Sequence, residues 1–167
     1  MALNERLEAE LLVLEDEDEN EDTQEDKFLT FVLADEEYGI EIRYVTEIIG
    51  MQKITEVPDV PSYIRGVINL RGKVIPVMDV RLRFGLPERP YDERTCIVVI
   101  NVAEQAVGLI VDRVSEVLDI PKSEIEPPPQ VKKGSGSRFI EGLGKVGDTV
   151  KILLNAEKLL FDEEGSN

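Results

Sequence analysis

"GIEIRYVTEII" occupies residues 39–49, and "GLIVDRVSEVL" occupies residues 108–118, 69 positions later. The echo runs without a gap over residues 28–49 and 97–118. Ala34, Gly39, Val45 and Glu47 recur as Ala103, Gly108, Val114 and Glu116, and most other positions exchange one apolar residue for another. Further on, residues 63–82 ("YIRGVINLRGKVIPVMDVRL") meet residues 139–158 ("FIEGLGKVGDTVKILLNAEK") at an offset of 76. Both run aromatic, Ile, charge, Gly, then a turn, an apolar strand and a helix-capping Asp79 or Asn155. The offset grows because "EPPPQVKKGSGSR" (residues 126–138), stiff with Pro and then flexible with Gly and Ser, lies in the second copy. The chain therefore reads as two copies of one β unit of roughly 65–75 residues each. A unit that small holds little core of its own, so the two are expected to share one.

The secondary structure agrees with this reading. "FLTFVL", "YGIEI", "EIIG", "GKVIPVM", "CIVVINV", "VGLIV", "SEVLDI" and "TVKILL" are short β-branched runs separated by turn formers at residues 35–37, Pro58, Pro61, Gly72 and residues 147–148. Many short strands with close turns predict small barrels. Pro76 has no N–H to give, which predicts an edge or a bulge at that strand. Two short helices are expected, one capped by Asp79 with Gly85 just past its end, the other capped by Asn155.

Charge separates one end from the rest. The chain has 167 residues and a net charge of −16. Residues 1–26 hold twelve acids against Arg6 alone, leaving 23 acids and 18 bases for the remainder. Such a balance opposes nucleic acid and anionic lipid, which require clustered Lys or Arg. Asn4 caps a candidate short helix with Leu3, Leu7, Leu11 and Leu14 at helical spacing. The block that follows, "EDEDENEDTQED" (residues 15–26), repels itself and is expected to be disordered. The expected organisation is an acidic extension over residues 1–26, a first barrel over 27–85, a second over 86–161 and a tail over 162–167. The two barrels are free to exchange a terminal strand.

Several chemistries are excluded or disfavoured. There is no His, which removes imidazole zinc sites and His-activated nucleophiles. The single Cys, Cys96, lies in "CIVVI" and reads as a small core residue. "GLGKVG" (residues 142–147) matches G-x-G-x-x-G, but an apolar strand follows where a dinucleotide site needs a helix, so it reads as a Gly-rich turn. "GVINLRGKV" (residues 66–74) has one residue too many between its glycines for a P-loop, and Val74 stands where Ser or Thr would hold Mg²⁺. The acidic block lacks the spaced ligands of a calcium loop. Glu41, Glu47, Asp79, Asp112 and Glu116 pair with no nucleophile or oxyanion donor in the sequence. The expectation is a protein without catalysis or cofactor. No signal peptide fits the acidic start, and no apolar run approaches the length of a membrane helix, so a cytoplasmic location is expected.

The repeat also sorts residues. What both copies keep reads as scaffold. Gly39 and Gly108 are expected where the backbone needs a positive φ or a close approach. What only one copy has is a candidate for function: "NLRG" (residues 69–72) faces "KVGD" (residues 145–148), so Arg71 has no counterpart.

"YGIEIRYVTEI", "YIRGVINLRGKVIPVMDVRLRFG" and "VGLIVDRVSEVL" resemble the CheW family of bacterial chemotaxis coupling proteins. The likeness covers residues 27–161, and the regulatory domain of the CheA kinase and part of CheV share the pattern. The resemblance implies an all-β fold of two five-stranded SH3-like barrels around a common core. It implies an adaptor that couples the cytoplasmic tips of chemoreceptors to the regulatory domain of the CheA histidine kinase, recruited to membrane-associated arrays. Matched by position, it implies that Val45, Glu47 and Arg71, with Thr55 and Val117, face the receptor. It marks Gly66 and Gly108, with Asn69, as structural or partner-surface positions. Val45 and Glu47 recur in the second copy, so core packing competes with groove contact for Val45, and a local salt bridge with a rim charge for Glu47. The alternative on the same fold is a small-ligand sensor or another signalling scaffold.

Overall fold

The computed structural model describes residues 25–128 and 137–162. The candidate N-terminal helix, nearly all of the acidic block, most of the Pro/Gly loop and residues 163–167 lie outside the described residues.

Eleven strands and two short helices are described. β1 (Lys27–Leu33), β2 (Glu36–Glu41), β3 (Val45–Gly50), β4 (Ile64–Leu70), β5 (Lys73–Asp79) and helix α1 (Val80–Arg83) make the first repeat. β6 (Cys96–Val102), β7 (Gln105–Val111), β8 (Arg113–Asp119), the two-residue β9 (Ile125–Glu126), β10 (Ile140–Val146), β11 (Thr149–Leu154) and helix α2 (Ala156–Phe161) make the second. The caps fall where the sequence puts them. Asp79 accepts a hydrogen bond from the Leu82 amide, Asn155 accepts one from Lys158, and Gly85 follows α1 with φ +77°.

The strands do not divide as the chain does. One sheet has the order β8-β1-β2-β11-β10-β9, the other β3-β6-β7-β5-β4. Each repeat thus keeps its own third strand and its last hairpin but takes its first hairpin from the other repeat. Parallel pairing seals each exchange: Leu153 lies opposite Gly39 across β11 and β2, and Val77 opposite Gly108 across β5 and β7. The boundary expected at residues 85 and 86 therefore separates the repeats in sequence, not the sheets in space. A whole hairpin from each repeat crosses over, rather than one terminal strand. β9 pairs with β10, and its counterpart is the isolated bridge of Thr55 to Val67 beside β4.

The exchange builds three apolar regions. A shared core takes one face of both sheets: Leu29, Phe31 and Leu33 of β1, Val98 and Ile100 of β6, Val80 of α1 with Phe84 just past its end, and Ala156 and Leu159 of α2. The sheet that holds β3 to β7 encloses Ile68, Ile75, Val77, Ile97, Val99 and Ile110. The other encloses a thinner set, Phe28, Ile120 and Leu153. The buried Lys151 stands in that second barrel at the place where Ile75 stands in the first, and it reaches Glu37 at 2.8 Å. Alternation along β1 and β6 feeds two cores at once, so both strands are buried nearly throughout.

Three details refine the sequence reading. Pro76 is not on a free edge strand; β5 lies between β4 and β7. The ladder to β7 begins only at Val77, so Pro76 has β4 alone beside it. "GLGKVG" is not a turn throughout: residues up to Val146 form β10, and the turn is Gly147 with Asp148. Gly39 and Gly108 do not have positive φ. They serve close approach instead: a Cβ on Gly108 would stand 2.7 Å from Ile97 and 2.8 Å from Val77, and one on Gly39 would stand 2.9 Å from Leu153.

Candidate functional site

The first barrel's outer edges meet at Glu47 and Arg71. Glu47 lies on β3, one edge of the sheet order; Arg71 sits in the turn from β4 to β5, at the other edge. A guanidinium nitrogen of Arg71 donates to a Glu47 carboxylate oxygen, and this ion pair ties the curled sheet across its opening. Arg71 remains 70% exposed while Glu47 is largely covered, so the guanidinium is presented to solvent.

The turn that carries Arg71 is built to hold it there. Arg71 and Gly72 are the two central residues of a two-residue hairpin, and both have positive φ, at +52° and +87°. That is the I′ turn that fits the twist of a hairpin, and Asn or Gly is the ordinary choice at its first position. Asn69 accepts a hydrogen bond on Oδ1 from the Gly72 amide at 2.8 Å and so shapes the turn from below. An arginine held in the left-handed region costs roughly 1–2 kcal/mol of local strain. At the equivalent corner of the second repeat stands Gly147, with φ +58° and no strain to bear.

The remaining candidates divide by burial. Val45 is buried in the shared core. A bulge at Thr46, where pairing with β6 steps from Val45–Ile100 to Glu47–Val99, resets the alternation so that Val45 and Ile48 both point inward. The Thr46 hydroxyl fills the bulge by donating to the Val99 carbonyl at 3.1 Å. Val117, the counterpart of Ile48, is half-buried against the same core. Thr55 is exposed, and its N–H and C=O both pair with Val67 at 2.9 Å. This strap crosses directly over Gly66, whose φ is +144°; a Cβ there would lie 2.1 Å from the Thr55 oxygen. Gly66 is therefore what lets the strap lie on β4. The structure brings Glu47, Asn69 and Arg71 together at one sheet opening, with Thr55 on the strap beside β4. It places Val45 on the inner face of β3, Gly108 inside the barrel and Val117 on the other sheet.

A second polar constellation was not singled out from sequence. Asp112, between β7 and β8, accepts two hydrogen bonds from Arg81 at 2.8 and 2.9 Å, one from Arg89 at 3.2 Å and one from the Ala34 amide at 2.9 Å. Burial alone pushes its carboxyl up, but the Arg81 hydrogen bonds and the Ala34 amide hold it below the ordinary range. This carboxylate links the first helix, the segment between the repeats and the β1–β2 turn. Arg83 does the same for the helices: it is buried over Tyr63 and Phe139 and donates to the carbonyls of Leu159 at 2.9 Å and Asp162 at 2.6 Å. Neither role was read from the sequence: Arg81 and Arg83 lie two positions apart on α1 and so point to different partners.

Among the described residues no group of three or more acidic or Cys side chains converges as metal ligands would. Burial pushes the Cys96 thiol up to about 11. No helix among the described residues is long and apolar enough to cross a membrane.

Comparison with known proteins places this geometry. A family model for the CheW-like domain matches residues 27–164. The chain is 41% identical over 138 residues to a chemotaxis protein CheW of Klebsiella aerogenes, covering 83% of each chain. It is 38% identical over 141 residues to a chemotaxis protein CheW of Bacillus subtilis, covering 84% of this chain and 90% of that one. The crystal structure of the scaffolding protein TtCheW of Thermoanaerobacter tengcongensis superimposes with a TM-score of 0.77 at 40% identity, covering 84% of this chain and 94% of that one. The expected double SH3-like barrel is the fold observed, and this chain belongs to the CheW-like family.

Proposed function

We propose that this chain is a non-catalytic chemotaxis adaptor that couples the cytoplasmic tips of chemoreceptors to the regulatory domain of the CheA histidine kinase. It acts from the cytoplasm and is held at the membrane only through the receptors. The relatives that support this reading are themselves named chemotaxis proteins and a scaffolding protein. The receptor tip, a helical hairpin, lies against the opening of the first barrel. There Arg71 and Glu47 supply rim charge and Thr55 a polar edge, while Val45 anchors β3 in the shared core; Val117, on the other sheet, lies apart from this opening. The kinase's regulatory domain, itself a double barrel, packs on the barrel ends. Contacts of this kind bury about 800 Å² per partner or less, so a few anchors dominate the affinity.

The observation that carries the reading is Arg71: one repeat bears the strain of an exposed arginine where the other has glycine. Strain kept at an exposed corner points to use rather than to folding. The test is co-sedimentation of the full chain with a CheA regulatory domain and with a receptor tip fragment. Binding to both is expected at concentrations on the order of 10 µM. Binding to neither at that concentration overturns the proposal.

A further inference from the structure

The two barrels are built from equivalent positions, yet their interiors are not alike. In the first barrel Ile68, Ile75 and Val99 belong to one apolar core. The repeat offsets of 76 and 69 set Gly144, Lys151 and Thr30 at the same places in the second barrel. Gly144 has no side chain to anchor. Thr30 turns its hydroxyl to the Glu116 backbone, donating to the carbonyl at 2.9 Å and accepting from the amide at 3.1 Å. Lys151 is 6% exposed, with its ammonium held by Glu37 at 2.8 Å. Glu37 in turn stands where Ala106 packs against the first barrel's core. The buried apolar side chains of the second core are Phe28, Ile120 and Leu153.

This difference falls on the end of a hairpin that little else holds. β11 pairs in parallel with β2 only at Ile152 and Leu153, so Thr149, Val150 and Lys151 pair with β10 alone. The tip of the β4–β5 hairpin has the same reach, since β5 meets β7 only from Val77 onward. That tip is pinned twice, by Ile68 and Ile75 within the core and by the Arg71–Glu47 ion pair across the opening. On the β10–β11 tip Gly147 stands in place of Arg71. Its ion pair of Lys145 with Glu126 at 3.1 Å is exposed on both sides, where such pairs contribute little. Val146 packs half-buried on the second core, and Val150 is left 50% exposed. A buried ion pair holds the tip no better than an apolar side chain of similar volume, and it fails once one partner leaves.

From this asymmetry we infer that the tip of the β10–β11 hairpin, residues 144–151, is a flap that swings out of the second barrel while the rest of the fold stays closed, and that the Lys151–Glu37 pair is its latch. Leu153 and Leu154 stay seated in the two cores at the flap's base, so the cooperative unfolding of the chain is unaffected. On release both charges regain water, which offsets part of the cost of opening; Ile75 in the first barrel has no such compensation. The open flap bares Phe28 and Ile120, an apolar surface that the closed barrel does not offer.

Amide hydrogen exchange on the full chain tests this. Register sets Gly144 opposite Lys151 and Ile68 opposite Ile75. Protection at Gly144 and Lys151 is expected to be about 100-fold lower than at Ile68 and Ile75, as for an opening well below the global limit. Lys151→Met keeps the stem and removes the charge, and should raise protection at Gly144 about tenfold. Glu37→Gln leaves the ammonium without its counter-charge, and should lower that protection by a similar factor. Neither variant should change protection at Ile68 and Ile75. Equal protection of the two hairpins in the parent would overturn the flap. A fall in Lys151→Met as large as that in Glu37→Gln would overturn the latch. Changes of the same size at Ile68 and Ile75 would overturn it too, because they would place the effect in global stability.

Discussion

Arg71 and Gly147 occupy the same corner of two equivalent hairpins, at φ +52° and +58°. The first repeat places a charged side chain where the second uses the residue that fits without strain. Replacing Arg71 by Gly removes that strain and an exposed ion pair worth about 0–1 kcal/mol. The melting temperature of Arg71→Gly should stay level or rise by a few degrees, while binding to the receptor tip falls about tenfold or more. A collapse of the melting temperature instead would make Arg71 a structural residue.

Gly108 and Gly39 are equivalent but not equally tight. A Cβ at Gly108 meets two branched side chains inside the fuller barrel, whereas one at Gly39 meets chiefly the flexible end of Leu153. Gly108→Ala is expected to cost about 1–3 kcal/mol and Gly39→Ala distinctly less. Urea unfolding midpoints of the two variants check the ranking, and equal costs would contradict it.

Gly66→Ala attacks the Thr55 strap rather than the core. The new Cβ overlaps the Thr55 carbonyl and the backbone conformation is one that side chains avoid. A loss of about 2–4 kcal/mol is expected. Amide exchange at Thr55 and Val67 should accelerate well beyond the global change. Unchanged protection at these two amides would show that the strap moves aside intact.

Asp112 carries a pH signature. Its folded carboxyl titrates below the ordinary 3.8, so its stabilisation is fully present above that value and is lost as pH falls through the folded value. Asp112→Asn should cost on the order of 3 kcal/mol at pH 7, since it leaves Arg81 half-buried without its partner. The gap between variant and parent should narrow below about pH 4. Urea titrations at pH 7 and pH 3 measure it; a gap independent of pH would place the stabilisation elsewhere.

Arg83→Ala removes the donors that hold the end of the second helix. Three backbone carbonyls lose a charged partner. Net costs of about 1 kcal/mol each predict a loss near 3 kcal/mol. Lysine should not restore it, because one ammonium cannot span the fork. Full rescue by Arg83→Lys in thermal melts would count against this assignment.

The repeat, the caps at Asp79 and Asn155 and the turn at Arg71 were legible in the sequence because each depends on neighbours within a few residues. The hairpin exchange was not. Whether β6 pairs with β3 or with β8 is decided by which cores the two faces of β6 fill, and both choices satisfy the same alternation. β4 and β10 were hidden for another reason: "IRGVINL" and "IEGLGKV" carry charges and glycines that read locally as turns, and only their neighbours make them strands. At the site, Arg71 stood out by lacking a counterpart. Glu47 reads as scaffold by recurrence, and only the curled sheet brings the two together. Asp112 was hidden because its partners lie 31 and 78 positions away.

The crossed hairpins have a consequence for inheritance. Once each barrel came to be completed by strands from the opposite copy, neither copy remained a transferable module. A break in the gene between residues 85 and 96 would yield two fragments that are each missing a wall and must find one another to become anything at all. The two copies can drift apart in surface charge, but they are bound to live or perish as one cooperative body.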